Sequence, residues 1–208
     1  MEILLLCGNG YGIGGLKLLR ALYERAVTAA YIAQNPNEAE TFLDYHHIHL
    51  GKLFNHAAQL FDMGSLFSAE KIGDIKKSYE ITKGKFQEPL CEKCGTTRTS
   101  FSWSRLDIAS MAQKVDQNLA KLYLPCYFQP TLQAHSTVSA LLARLVEREA
   151  GVVSFNEGAQ REKADEALIG AHNVILFVLD TQSEFFILGL EKEIEQRRAD
   201  FMKIWAKH

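Results

Sequence analysis

Four polar residues lie in apolar helical stretches of this chain: Arg20, Glu24, Tyr127 and His135. Arg20 and Glu24 are four apart, so on a helix they project from one face. Leu19, Leu22, Tyr23 and Ala26 crowd that stretch. A charge set among apolar side chains must be paired and hydrogen-bonded, or it costs several kcal/mol. The economical expectation is that at least three of the four meet in one internal network. Such a network either fixes helix packing or forms a pocket. In a pocket, His135 and Glu24 would act as acid and base while Arg20 holds an anion. If Glu24 is buried, Glu24→Ala strands a charge and costs about 3 kcal/mol.

Cys91-Glu92-Lys93-Cys94-Gly95 has the spacing of a metal knuckle. Two thiolates so placed grip one zinc, and the glycine gives the turn backbone room. CxxC alone is half of a tetrahedral site. Cys126, a histidine or the same pair from a second subunit would have to complete it; otherwise these are two loop thiols. A thioredoxin-like role needs a βαβ context, which is missing.

Three further patterns invite chemistry and read better as structure. Gly10, Gly12 and Gly15 satisfy GxGxxG after the apolar run from Ile3 to Leu6. A dinucleotide site needs that turn between strand and helix inside a βαβ unit. Helix follows helix here, so the expectation is a glycine-rich turn with close backbone approach. His46, His47, His49 and His56 share one helix without the HExxH order of zinc proteases, and read as a solvated face. Lys71, Lys76, Lys77, Lys83 and Lys85, with Tyr79 and Phe86 between them, form the one basic stretch, also read as solvated.

The elements that must position these residues are helices. Leu16, Leu19, Leu22, Tyr23, Ala26, Val27 and Ala30 recur at three- and four-residue steps, which predicts a helix over 12–33. Asn35 reads as the cap of a second helix with Pro36 at its first position. Ser68 starts a third, fraying near Gly84. Residues 87–102 read as a loop. Helices resume near Asp107 and stop before Pro125. Another is expected over 131–149, with Leu132, Val138, Leu141, Leu142 and Leu145 on one face. Val152, Val153 and Phe155 form a connection, or a strand lacking an obvious partner. From Glu157 the chain is helical to its end, broken at Gly170 or Gly189. Its last stretch carries a sparse stripe of Ile194, Phe201, Ile204 and Trp205, which needs another surface to pack on. The expected fold is all-α: a multi-helix bundle in one domain over 1–208, with a core near 16–145 and a long C-terminal helical extension near 157–208.

Leu19-Arg20-Ala21-Leu22-Tyr23-Glu24, Ser102-Trp103-Ser104, then Tyr123, Tyr127 and His135-Ser136 occur in this order. The chain thereby resembles a broad bacterial family described only as a domain of unknown function (number fifty-six seventy-seven). The resemblance spans about 16–145 and implies a helical bundle, with no activity to carry over. In many relatives a serine precedes the histidine by a helical turn; Thr131 stands there.

Composition narrows the function. With 47% hydrophobic residues, 208 positions can bury a sizeable core, and a net charge of -2 does not suit a non-specific nucleic-acid binder. Four cysteines are too few for a disulfide scaffold, no leader is visible, and no apolar run spans a bilayer. A cytoplasmic protein without membrane partner or nucleotide cofactor is expected. The favoured reading is a non-catalytic interaction or binding module, forming a homo-oligomer. The alternative is a small helical nuclease-like enzyme of a bacterial defence or toxin system, using Arg20, Glu24, Tyr127 and His135. Nucleases of that type pair an Arg with a His four to six residues later on one helix, and no arginine here has that partner.

Overall fold

The computed structural model describes residues 1–91, 93–135, 137–149, 151–156 and 158–205. Glu92, Ser136 and Glu157, which entered the expectations above, lie outside the described residues. The fold is all-α, with two short β-hairpins among the helices. Contacts cluster into two compact units, 1–34 with 108–208 and 35–107, where the periodicity alone suggested one.

In the first unit, α1 (Glu2–Gly8) turns into α2 (Gly12–Gln34). Leu16, Leu19, Tyr23, Ala26, Val27 and Ala30 form the buried face of α2, as their spacing requires. That face packs on α10 (Arg161–Phe186), which meets it with Ala164, Ala167, Gly170, Ala171 and Val174. Small residues bring the helices close: a Cβ on Gly170 would sit 2.6 Å from Leu19 Cδ2. Leu19 and Val27 are fully buried and contribute about 1.5–3 kcal/mol each.

The glycine-rich turn is a packing device. Ile3–Cys7 is helix, and no strand precedes Gly10. Gly10 takes φ +80°, and a Cβ on Gly12 would lie 2.2 Å from the Ala164 backbone nitrogen. Only glycine permits that approach.

Four shorter helices follow in this unit. These are α6 (Ile108–Val115), α7 (Gln117–Lys121), α8 (Gln129–Ala134) and α9 (Val138–Leu142). Asp116 caps α7 through the backbone N–H groups of Asn118 and Leu119 at 2.7 and 2.9 Å. Pro125 does not end the helical path as expected. It sits in a π-helical turn, Leu124–Phe128, which leads directly into α8. Near its N-terminus proline's missing N–H costs little.

The helix expected over 131–149 is not continuous. Its path breaks at His135, and Leu145–Glu149 becomes β3, paired antiparallel with β4 (Val152–Phe155). The strand without a partner therefore has one, and it is the segment read as helix. Gly151, at φ +82°, makes the connection between them.

The long C-terminal segment is two helices. α10 runs through Gly170 unbroken and ends at Ile187, in a left-handed conformation, ahead of Gly189. α11 (Glu191–Trp205) folds back on α10. Ile194 and Phe201 are buried, and the His172 ring stacks on Phe201 at 4.2 Å. Arg198 pairs with Asp180. The stripe thus packs on its own body, except for Ile204, which is exposed.

The second unit contains α3 (Glu38–Ala57), α4 (Met63–Leu66) and α5 (Ala69–Thr82). Asn37, not Asn35, precedes α3, and it makes no side-chain cap. Ser68 caps α5 as expected, accepting from the Lys71 N–H at 3.3 Å. The stretch read as a loop is a hairpin, β1 (Gln87–Cys91) with β2 (Thr96–Thr99). Tyr45, Ile48 and Phe86 form the core of this unit, with Tyr79 and Trp103 against it. No helix among the described residues is long and apolar enough to cross a membrane.

Candidate functional site

Three of the four predicted polar residues meet. Arg20 lies midway along α2, one turn from fully buried Tyr23. Its Nε donates to Thr131 Oγ1 on α8 at 2.8 Å, and its Nη2 donates to Tyr127 Oη at 3.4 Å. The guanidinium also lies over the Tyr127 ring, 4.9 Å from the centroid. Glu24 stands 3.7 Å from Nη2. Thr131 is held in turn, donating to the Tyr127 carbonyl at 2.6 Å. Tyr23 fixes the floor: its hydroxyl donates to the Leu119 carbonyl at 2.8 Å, and burial pushes its pKa well up. Burial likewise raises the adjacent Cys126 thiol to about 12, so it stays neutral.

The network is shallower than the sequence implies. The Arg20 side chain is 28% exposed and that of Glu24 44%. Glu24 is therefore a solvated partner and not a buried charge. His135 stands apart. It follows the last residue of α8, its side chain is exposed, and it bonds to its surroundings through its backbone, accepting from Thr137 at 2.8 Å. Arg20, Tyr127 and Thr131 form a packing cluster in which Arg20 Nε and Nη2 are engaged. Thr131 was visible in the sequence only as the residue standing where relatives have serine.

A cleft of about 700 Å³ opens elsewhere in this unit, between α2, α7 and α10. Gln34, Asn118, Asn173 and Glu184 are among its lining residues, and none of the four predicted site residues is. Its other carboxylates are occupied: Asp116 caps α7 and Asp180 pairs with Arg198.

Cys91 and Cys94 sit at the turn end of the β1–β2 hairpin. Cys94 is exposed, 3.1 Å from Thr96 Oγ1. Hydrogen bonds from Thr96 and then Cys91 bring its thiol down to about 7. Among the described residues no group of three or more His, Cys, Asp or Glu side chains could hold a metal ion. The helical histidines are dispersed; His49 meets the edge of Tyr45 at 4.6 Å. The basic stretch is partly neutralised within its own unit, Lys85 pairing with Asp44 and Glu40 and Lys83 with Glu80. Trp103 packs edge-on against Phe42 at 5.3 Å, so the Trp-Ser element belongs to this unit's core.

The sequence model of one family matches residues 1–152. The chain belongs to the Family of unknown function (DUF5677). The DUF5677 span takes in α1 through β3 and so holds the whole Arg20 cluster, the cysteine hairpin and the Trp-Ser element. It reaches further towards both ends than the 16–145 expected from the motifs. The curated proteins and the solved structures contain no match.

Proposed function

We propose that this chain is a non-catalytic interaction module that associates with a second copy of itself. The supporting observation is the surface of residues 138–155. Val138, Leu141, Leu142, Leu145, Val153 and Phe155 are all exposed there, Val138 at 71%. Single exposed apolar residues need no explanation, but a run of this kind marks an interaction surface. A two-stranded hairpin is marginal in water unless a further strand or a packed surface supports it. Among the described residues the β3–β4 sheet has two strands and no third. A second copy brings the same exposed apolar residues, and a two-fold axis makes such a patch complementary to itself.

The enzyme reading draws less support. It needs His135 beside Glu24, and it needs Arg20 free for an anion. His135 is apart, and two of Arg20's nitrogens are spent on Thr131 and Tyr127.

Sedimentation velocity in the presence of a chelator, on the metal-free full chain and on Leu142→Asp and Phe155→Asp variants, tests this. The parent should show a mass that rises with concentration to that of a dimer. Each variant should remain monomeric with an unchanged helical circular dichroism spectrum. A parent that stays monomeric throughout contradicts the proposal.

A further inference from the structure

We infer that Cys91 and Cys94 are one half of a tetrathiolate site for zinc, completed by the same two residues of a second copy. The inference stands on different residues from the apolar surface and does not need it.

The hairpin is shaped for this. Its register shifts between Pro89 and Cys91, which sets Cys91 opposite Thr96. The Gly95 N–H donates to the Cys91 carbonyl at 3.1 Å, and Gly95 takes φ +67°. That closes a tight turn that begins at Cys91 and holds Cys94 just before its end. Two cysteines carried by one tight turn supply half of zinc's preferred four-coordinate shell.

No other described residue supplies the rest. Cys7 and Cys126 are buried. The described histidines and carboxylates form no ligand group with the pair. The shortfall is two soft ligands, and an identical knuckle offers those two. Because the tip is open, two copies can meet there head to head, with the metal on the two-fold axis. Both cysteines of each copy would release their protons to solvent on binding, with no change of oxidation state. Four thiolates on a divalent ion leave two surplus negative charges. Lys93, exposed beside Cys94, supplies one positive charge from each copy to offset them.

Elemental analysis of the full chain, purified under reducing conditions and loaded with zinc, tests the site. One tightly held zinc per two chains is expected, and none in Cys91→Ser or Cys94→Ser. Cobalt in place of zinc should give the intense sulfur-to-metal band and the tetrahedral visible bands of a four-sulfur site. In the Leu142→Asp background, where the apolar surface is disabled, zinc alone should then double the mass and a chelator reverse it. One zinc per chain on a monomer, or zinc retention no greater than in the serine variants, overturns the inference. The metal-to-chain ratio reads the knuckle alone, so its failure would leave the apolar surface untouched, and the reverse.

Discussion

Arg20 Nε donates to Thr131 Oγ1 across 2.8 Å, tying the middle of α2 to α8. Glu24, one turn along, contributes an ion pair at 3.7 Å that faces water. The two partners should therefore respond differently to substitution. Arg20→Ala removes charged hydrogen bonds and the stack on Tyr127, and should cost about 1.5–3 kcal/mol. Glu24→Ala removes a solvated i,i+4 pair and should cost about 0.3–0.5 kcal/mol. Urea unfolding of both variants makes the comparison. Equal losses would restore the view of Glu24 as a buried charge.

The turn at Gly12 should be intolerant of any side chain. A methyl group there meets the Lys163–Ala164 backbone at 2.2–2.3 Å, which no rotamer change relieves. Gly12→Ala should cost at least about 1–3 kcal/mol, whereas Gly8→Ala, with open space around its Cβ position, should cost well under that. A neutral Gly12→Ala in thermal unfolding would refute the close approach of α2 to α10.

What could be read from sequence follows from where the determinants lie. The helix over 12–34 was legible because its buried residues recur at helical steps and it has one apolar partner face. The cap at Ser68 was legible because capping is local. The hairpins were not. Leu132, Val138, Leu141, Leu142 and Leu145 fall at helical spacing, yet four of them are exposed, and only Leu132 is partly buried. The pairing of Leu145 with Phe155 is a tertiary choice that overrides this local pattern. Gly95 and Gly151, both at positive φ, were the signals available. Of the site, the Arg20–Glu24 pair was legible from its spacing. Its meeting with Tyr127 and Thr131 spans more than one hundred residues, and no periodicity carries that information.

The docking of α11 should be measurable and sensitive to acid. Ile194 and Phe201 bury about 1.5–3 kcal/mol each, so truncation after Gly189 should lower the thermal midpoint by about 10 °C. His172, stacked on Phe201, has a pKa depressed by burial, partly offset by a bond to the Arg197 backbone. Its Nε2 is buried without a hydrogen-bond partner among the described residues. The unfolded chain, with its ordinary histidine near 6.5, binds the proton more readily. Stability should therefore fall as pH drops through about 6.5 and level off below the folded value. His172→Phe keeps the stack and should flatten that slope; an unchanged slope would assign it to other groups.

The central claim, that residues 138–155 are covered by a second copy, is tested most directly by amide hydrogen exchange at two protein concentrations. The backbone of β3 and β4 should be protected at high concentration, where the dimer forms, and should exchange rapidly after dilution to monomer. The amides of α2 and α10 should keep their protection at both. Hairpin exchange that is the same at the two concentrations, whether fast or slow, would contradict the account.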